Sequence, residues 1–209
     1  LFQKRLADLP TERIQETIPQ FHNGVLRIDA LEKAVREDKQ NRVEATQPEI
    51  EFCQTNRGIV QIFADAQAKG ELPQRITHND TKIDNVLLDQ DTDEVMCIVD
   101  LDTVMPGLIH YDFGDMVRTL TSPADEDERD LDKVTMRMDF FDALAKGYLS
   151  EANDFLSEAE KGYLAQAGKV ITFQLGVRFL TDHLNGDTYF RVHREGQNLD
   201  RARVQFKLV

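Results

Sequence analysis

The stretch ITHNDTKIDNVLLD, residues 76–89, gathers His78, Asn79, Asp80, Lys82 and Asn85 immediately before an apolar run. Moving a phosphoryl group from a nucleotide asks little of a protein locally. It needs a carboxylate to orient and deprotonate the acceptor hydroxyl, and oxygen ligands to hold Mg2+ against the phosphates. A loop of the form H-x-D-x-x-x-x-N supplies one carboxylate, Asp80, and one amide oxygen, Asn85. A second carboxylate, Asp100 in IVD, follows fifteen residues after Asn85. A short hairpin spans that separation, so its far end can return beside the loop and two oxygen ligands can face one ion. The loop pattern alone is short enough to arise by chance; Asp100 beyond a hairpin gives it weight.

The elements that must position these residues follow from periodicity. Apolar residues at helical spacing predict helices over 28–42 and 48–69, the second stopped by Gly70. The period then changes: RITHND, NVLLD and EVMCIVDLD are short and rich in Val, Ile and Leu, and QDTD joins the last two as a hairpin turn. Pro106 and Gly107 mark a turn, and helical spacing resumes over 112–120. SPADEDERDLD is expected as a solvated acidic loop or helix start. TMRMDFFDALAKGYL and SEAEKGYLAQAGKVITFQLGVRFLTDHL complete a helical remainder, with Ser157 and Glu160 placed as a capping box and Asn185-Gly186 as a stop. The expected fold class is α+β, mainly helical, with a small β-hairpin carrying the loop. No repeat, low-complexity tract or linker divides the 209 residues, which fit one domain or one lobe of something larger.

Composition narrows the partners. A net charge of −13, from 38 acidic and 25 basic residues, repels the phosphates of nucleic acid and of anionic membranes. No apolar run approaches the roughly 20 residues of a membrane span. Cys53 and Cys97 lack the paired spacing of a zinc site and read as reduced, packed thiols of a cytoplasmic protein. A soluble partner is expected. The chain opens on an amphipathic pattern at Phe2, Leu6 and Leu9, without an initiator Met, which points to further sequence upstream.

HNDTKIDNVLLD, CIVDLDTVMPG and YDFGDMVR together resemble the aminoglycoside phosphotransferase and choline kinase superfamily, whose loop is commonly H-G-D-x-x-x-x-N. DLDTVMPG with RFLTDHLNGDTYF is similar to the N-acetylhexosamine 1-kinase branch, which phosphorylates an anomeric hydroxyl with ATP. The resemblance implies the C-terminal, substrate-binding lobe of a protein kinase-like fold over 1–209, with Asp80 as catalytic base and Asn85 and Asp100 as Mg2+ ligands. It makes His78 a brace of the loop, and gives Lys82 an electrostatic role near the transferred phosphate. Asp102, which on a strand would share the face of Asp100, is a candidate for metal or sugar contact. Arg178 and Tyr189 are candidates for gripping the sugar. Asp112 begins a DFG triplet, but twelve residues past Asp100 and after a Pro-Gly turn. Asp112 is therefore assigned to capping the following helix and to holding the loop through backbone N–H groups.

Two positions depart from the wider superfamily: Asn79, where glycine is usual, and Leu101, where an aromatic residue is common. No glycine-rich loop precedes His78 and residues 1–75 read as helices, so the nucleotide-binding N-terminal lobe is expected to lie outside this chain, and these residues alone to be a poor catalyst. Simpler readings stand beside the functional ones: Lys82 as a solvated loop lysine, Arg178 as a helix residue with its stem on the core. Another small-molecule kinase, acting on an aminoglycoside, homoserine or choline, or a non-catalytic sugar-binding lobe are the alternatives. Choline ranks low because there is no Trp and only four Tyr to build an aromatic cage.

Overall fold

The computed structural model describes residues 2–92 and 94–209. In chain order the helices and strands are α1 (Phe2–Arg5), α2 (Gly24–Glu37), α3 (Gln47–Thr55), α4 (Gln61–Ala68), β1 (Arg75–Thr77), β2 (Val86–Leu88), β3 (Val95–Ile98), β4 (Met105–Gly107), α5 (Ile109–Leu120), α6 (Met138–Ala152), α7 (Glu158–Asn185) and α8 (Gln197–Leu208). The chain divides into two compact units. The first comprises Leu1–Phe21, Ala66–Thr121 and Arg137–Gly168; the second comprises His22–Asp65, Ser122–Met136 and Lys169–Val209. None of the described helices is long and apolar enough to cross a membrane.

The first unit holds all four strands. β2 and β3 form the expected hairpin, Val86 opposite Ile98 and Leu87 opposite Cys97, with an irregularity between Leu87 and Leu88. β1 pairs antiparallel with β4, in the register Arg75–Gly107, Ile76–Pro106 and Thr77–Met105. The expected turn at Pro106-Gly107 is thus a strand. Proline lacks a backbone donor, and a sheet of two strands leaves an outer side where none is needed. Cys97 is exposed on β3 and not packed as expected, while Cys53 is buried in the second unit, where burial pushes its thiol up to about 12.

Two devices fix where β1 delivers the chain. Ser157 and Glu160 make the reciprocal box, Glu160 N–H to Ser157 Oγ at 3.1 Å and Ser157 N–H to Glu160 Oε2 at 2.8 Å. The same Glu160, 1% exposed, accepts both Nε (2.6 Å) and Nη2 (2.9 Å) of Arg75, whose Nη2 also reaches the Phe155 carbonyl. The first residue of β1 is thereby bolted to the start of α7. Behind it Ile76, Leu108, Ile109, Phe113 and Val117 are buried, and the Phe113 ring lies 4.9 Å from that of Tyr148 on α6. Each such side chain contributes on the order of 1.5–3 kcal/mol by leaving water.

The second unit is helical. Phe52, Phe173 and Phe206 cluster, with the Phe52 and Phe206 rings 5.0 Å apart. The helix expected over 28–42 starts earlier, because Asn23 Oδ1 caps it through Leu26 N–H at 3.1 Å. It ends earlier too, because Asp38 at φ 36° turns its carboxylate onto the N–H groups of Arg42 and Val43. The helix expected over 48–69 is two helices. Asn56 Nδ2 bonds back to the Phe52 carbonyl at 2.9 Å, competing with the ladder, and a 3-10 turn at Arg57–Val60 separates them. The acidic loop is partly docked and not simply solvated: Asp127 Oδ2 accepts from Arg194 and Gln197, and Glu126 pairs with Arg201.

Candidate active site

β1 feeds a reversal that few residues tolerate. Asn79 stands at φ 68°, the left-handed region where glycine is at ease and asparagine is the readiest substitute. Its amide is buried. Oδ1 accepts from Thr77 Oγ1 at 3.0 Å, and Nδ2 donates to the carbonyls of Thr77 (3.2 Å), Thr103 (3.1 Å) and Met105 (3.3 Å). Asparagine in place of the expected glycine therefore keeps the backbone bend and ties three segments together. Gly107 makes room for it, since a Cβ there would fall on Thr77 Oγ1 and Asn79 Oδ1.

His78 is fully buried. Its Nδ1 accepts the Asp80 N–H at 3.3 Å and its Nε2 lies 3.0 Å from the Val99 carbonyl, partners that assign the proton to Nε2. The ring therefore connects the loop to the residue before Asp100. Asp112 grips the loop from beneath: its carboxylate accepts His78 N–H (3.1 Å), Asn79 N–H (2.7 Å) and Gln3 Nε2 (2.7 Å), while its carbonyl accepts Thr81 Oγ1 at 2.6 Å. Asp112 does not cap α5 as expected; Leu108 occupies that position, and Asp112 lies within the first turn. Burial pushes its carboxyl up to about 6, against the pull of those N–H donors. Tyr148 extends the network, its hydroxyl donating to Gln3 Oε1 at 2.6 Å.

With the loop so held, Asp80 and Asn85 meet. Asn85 Nδ2 donates to the Asp80 carbonyl (2.8 Å) and to Asp80 Oδ2 (2.9 Å), and Lys82 Nζ lies 3.2 Å from that same oxygen. Both contacts fall on Oδ2 and not on Asp80 Oδ1. Burial works against the Lys82 charge, but Asp80, with Asp100 and Asp115, outweighs it and holds the ammonium above the ordinary lysine value.

Asp100 itself is left-handed, φ 63° and ψ 55°. Asp102 is not on a strand: β3 ends at Ile98, and Asp102 sits in a 3-10 turn, Leu101–Thr103, whose carbonyl at 102 accepts Thr17 Oγ1 at 2.9 Å. The turn nonetheless brings the two side chains together. A hydrogen bond from Asp102, then its charge, then a small desolvation and Asp80 raise the Asp100 carboxyl, with Lys82 opposing. Two neighbouring carboxyls are a locus short of positive charge. Among the described residues no cluster of three or more His, Cys, Asp or Glu side chains has metal-binding geometry.

In the second unit Arg178 and Tyr189 meet each other, Nη2 to the phenol oxygen at 3.3 Å, with the guanidinium 5.2 Å from the Phe190 ring centre. The loop carrying Tyr189 is shaped by Asp182, whose carboxylate accepts the N–H groups of Thr188, Tyr189 and Phe190 and Nδ2 of Asn198. Arg42 pins its start through Asp187 Oδ2 (2.6 Å) and the His183 carbonyl (2.7 Å), and Gly186 at φ 98° makes the stop. Gln3, Tyr148, Arg75 and Arg42 went unnoticed in the sequence because their partners lie about a hundred residues away. Asp182 carried a faint signal, an acid on the apolar stripe of α7.

A family model, APH, the phosphotransferase enzyme family, matches residues 2–155. The match takes in the Asp80 loop, the hairpin, Asp100 and the Asp112 brace, and spans well over half of the 209 residues. The chain belongs to the phosphotransferase enzyme family.

Proposed function

We propose that the protein is a Mg2+-dependent small-molecule kinase that transfers the γ-phosphoryl group of ATP to a sugar hydroxyl, the anomeric hydroxyl of an N-acetylhexosamine before others. The observation that carries this is the interlocked trio Asp80, Lys82 and Asn85, with one carboxylate oxygen and one amide oxygen left available, beside the acid pair Asp100 and Asp102. These residues suit Mg2+, which keeps several waters and takes one or two protein oxygens together with the phosphates. Asn85 Oδ1 and Asp100 would hold it, and it would supply charge neutralisation at the transferred phosphate.

Asp80 Oδ1 accepts the hydrogen bond of the incoming hydroxyl and takes its proton late, since the transition state is loose and positioning contributes most. Lys82 stays on Oδ2 and offers positive charge to the oxygens of the phosphoryl group in transfer. His78 and Asp112 act through the backbone of the loop. Arg178 and Tyr189 are assigned to the acceptor. Within such a kinase these residues form the acceptor-binding lobe, the nucleotide phosphates being covered from outside them.

The test is an acceptor panel with Mg2+ and ATP: N-acetylglucosamine, N-acetylgalactosamine, choline, homoserine and an aminoglycoside. The expected product is an acid-labile sugar 1-phosphate, identified by phosphorus NMR. Phosphorylation of choline or an aminoglycoside in preference would replace the acceptor assignment, and sugar binding without transfer would favour the non-catalytic alternative.

A further inference from the structure

In the first unit, α1, α5, α6, the end of β3 and the Thr81 side of the catalytic loop surround a cavity of about 300 Å3. Phe2, Ile98, Met116, Leu144, Ala152 and Phe155 make its apolar walls, and all but Ala152 are only half-buried. The polar groups on the wall are engaged with one another. Gln3 donates to Asp112 and accepts from Tyr148, Thr81 donates to the Asp112 carbonyl, and Lys4 lies 3.5 Å from Glu151. A charged or strongly polar ligand entering here loses its water with no partner offered in return, whereas an apolar one covers apolar surface without that loss. Gly147, also on the wall, adds a second observation. It lies inside α6, where glycine is the poorest helix former after proline. Nothing within 4 Å would meet a Cβ at Gly147, so packing does not demand glycine there. What the missing side chain achieves is an open mouth to the cavity.

We propose that this cavity is a binding site for an uncharged, apolar small molecule, separate from the Asp80, Asn85 and Asp100 groups, none of which lines it. An apolar cavity of about 150 Å3 holds one benzene ring, so this one has room for roughly two fused rings. The ligand rests on the groups that hold the catalytic loop. Asp112 accepts the His78 and Asn79 N–H groups, and the Phe2 ring lies 5.8 Å from that of His78. A molecule seated against Phe2, Thr81 and Asp112 opposes the local opening that frees those two N–H groups, because opening must release it. The site is thus a means of stiffening the loop from behind, whichever acceptor is phosphorylated.

The experiment titrates the intact protein with fluoronaphthalene, followed by fluorine NMR, and with its carboxylate and aminomethyl derivatives, which are charged at neutral pH. The neutral probe is expected to bind about ten-fold or more tightly than either charged one. With that probe at about ten times its dissociation constant, amide exchange at His78 and Asn79 should slow about ten-fold. Gly147→Leu puts a side chain into the mouth and a better helix former into α6. It should weaken the neutral probe about ten-fold or more while raising the melting temperature by a few degrees, so lost binding cannot be lost folding. Gly147→Ala should gain the stability and keep the binding. Equal affinity for neutral and charged probes, no binding of the neutral one, unchanged affinity in Gly147→Leu, or unchanged exchange at His78 and Asn79 in the bound protein would overturn the inference.

Discussion

Asn85 and Lys82 both contact Oδ2 of Asp80, and the proposed mechanism uses its other oxygen, Oδ1. An ammonium so placed helps most once negative charge has moved onto the transferring group. Lys82→Met is therefore expected to lower kcat by ten- to a hundred-fold with the acceptor KM nearly unchanged; a change confined to KM would assign Lys82 to ground-state binding. Asp112 makes a separate prediction in pH. Its carboxyl is pushed up from 3.8 to about 6 in the folded protein, so the native state binds this proton more tightly than the unfolded chain does. Stability then falls as pH rises from about 4 to about 6 and is flat above, a loss of about 3 kcal/mol in all. Urea unfolding at several pH values should show this slope, and Asp112→Asn should abolish it. The same substitution turns an amide donor toward the His78 and Asn79 N–H groups, so it should also destabilise the protein by about 1–3 kcal/mol.

At the scale of elements, the loop is positioned by what clamps β1 at either end. Arg75 and Glu160 form a part-buried, bidentate pair in which the Glu160 carboxylate is the inner partner, so removing Arg75 strands that charge out of water. Glu160→Gln or Arg75→Met should each cost about 3–5 kcal/mol, and the double variant less than their sum; additive losses in denaturant titrations would show that the pair is not one unit. At the other end, Gly107 on β4 lets Asn79 fold beneath it. Gly107→Ala should destabilise by about 1–3 kcal/mol through overpacking, and should reduce kcat, because the displaced atoms belong to a buried hydrogen-bonded turn and cannot swing away. Unchanged melting and turnover would mean that β1 and β4 have slack.

Over the whole molecule, the parts legible in the sequence were those whose cause is local. The β2–β3 hairpin, the Ser157–Glu160 box and the stop at Gly186 follow from spacing and turn chemistry within a few residues. Pro106 and Gly107 misled because their punctuating chemistry is overridden by pairing with β1, thirty residues away, and Asp102 because a strand was extended past the left-handed Asp100. The Asp112 grip on the loop could be anticipated, whereas Gln3 and Tyr148 behind it could not, since tertiary packing alone joins residues 3, 112 and 148. Net charge carried information only at long range: −13 over the chain draws cations and repels phosphates. The central claim is that Asp80 receives the acceptor proton while Asn85 and Asp100 serve the metal, and it is tested most directly by single-turnover phosphoryl transfer in Asp80→Asn, with acceptor and Mg2+-ATP affinities measured alongside. A rate lower by three or more orders of magnitude with both affinities nearly intact is the predicted result, and a rate close to that of the unaltered protein would contradict it.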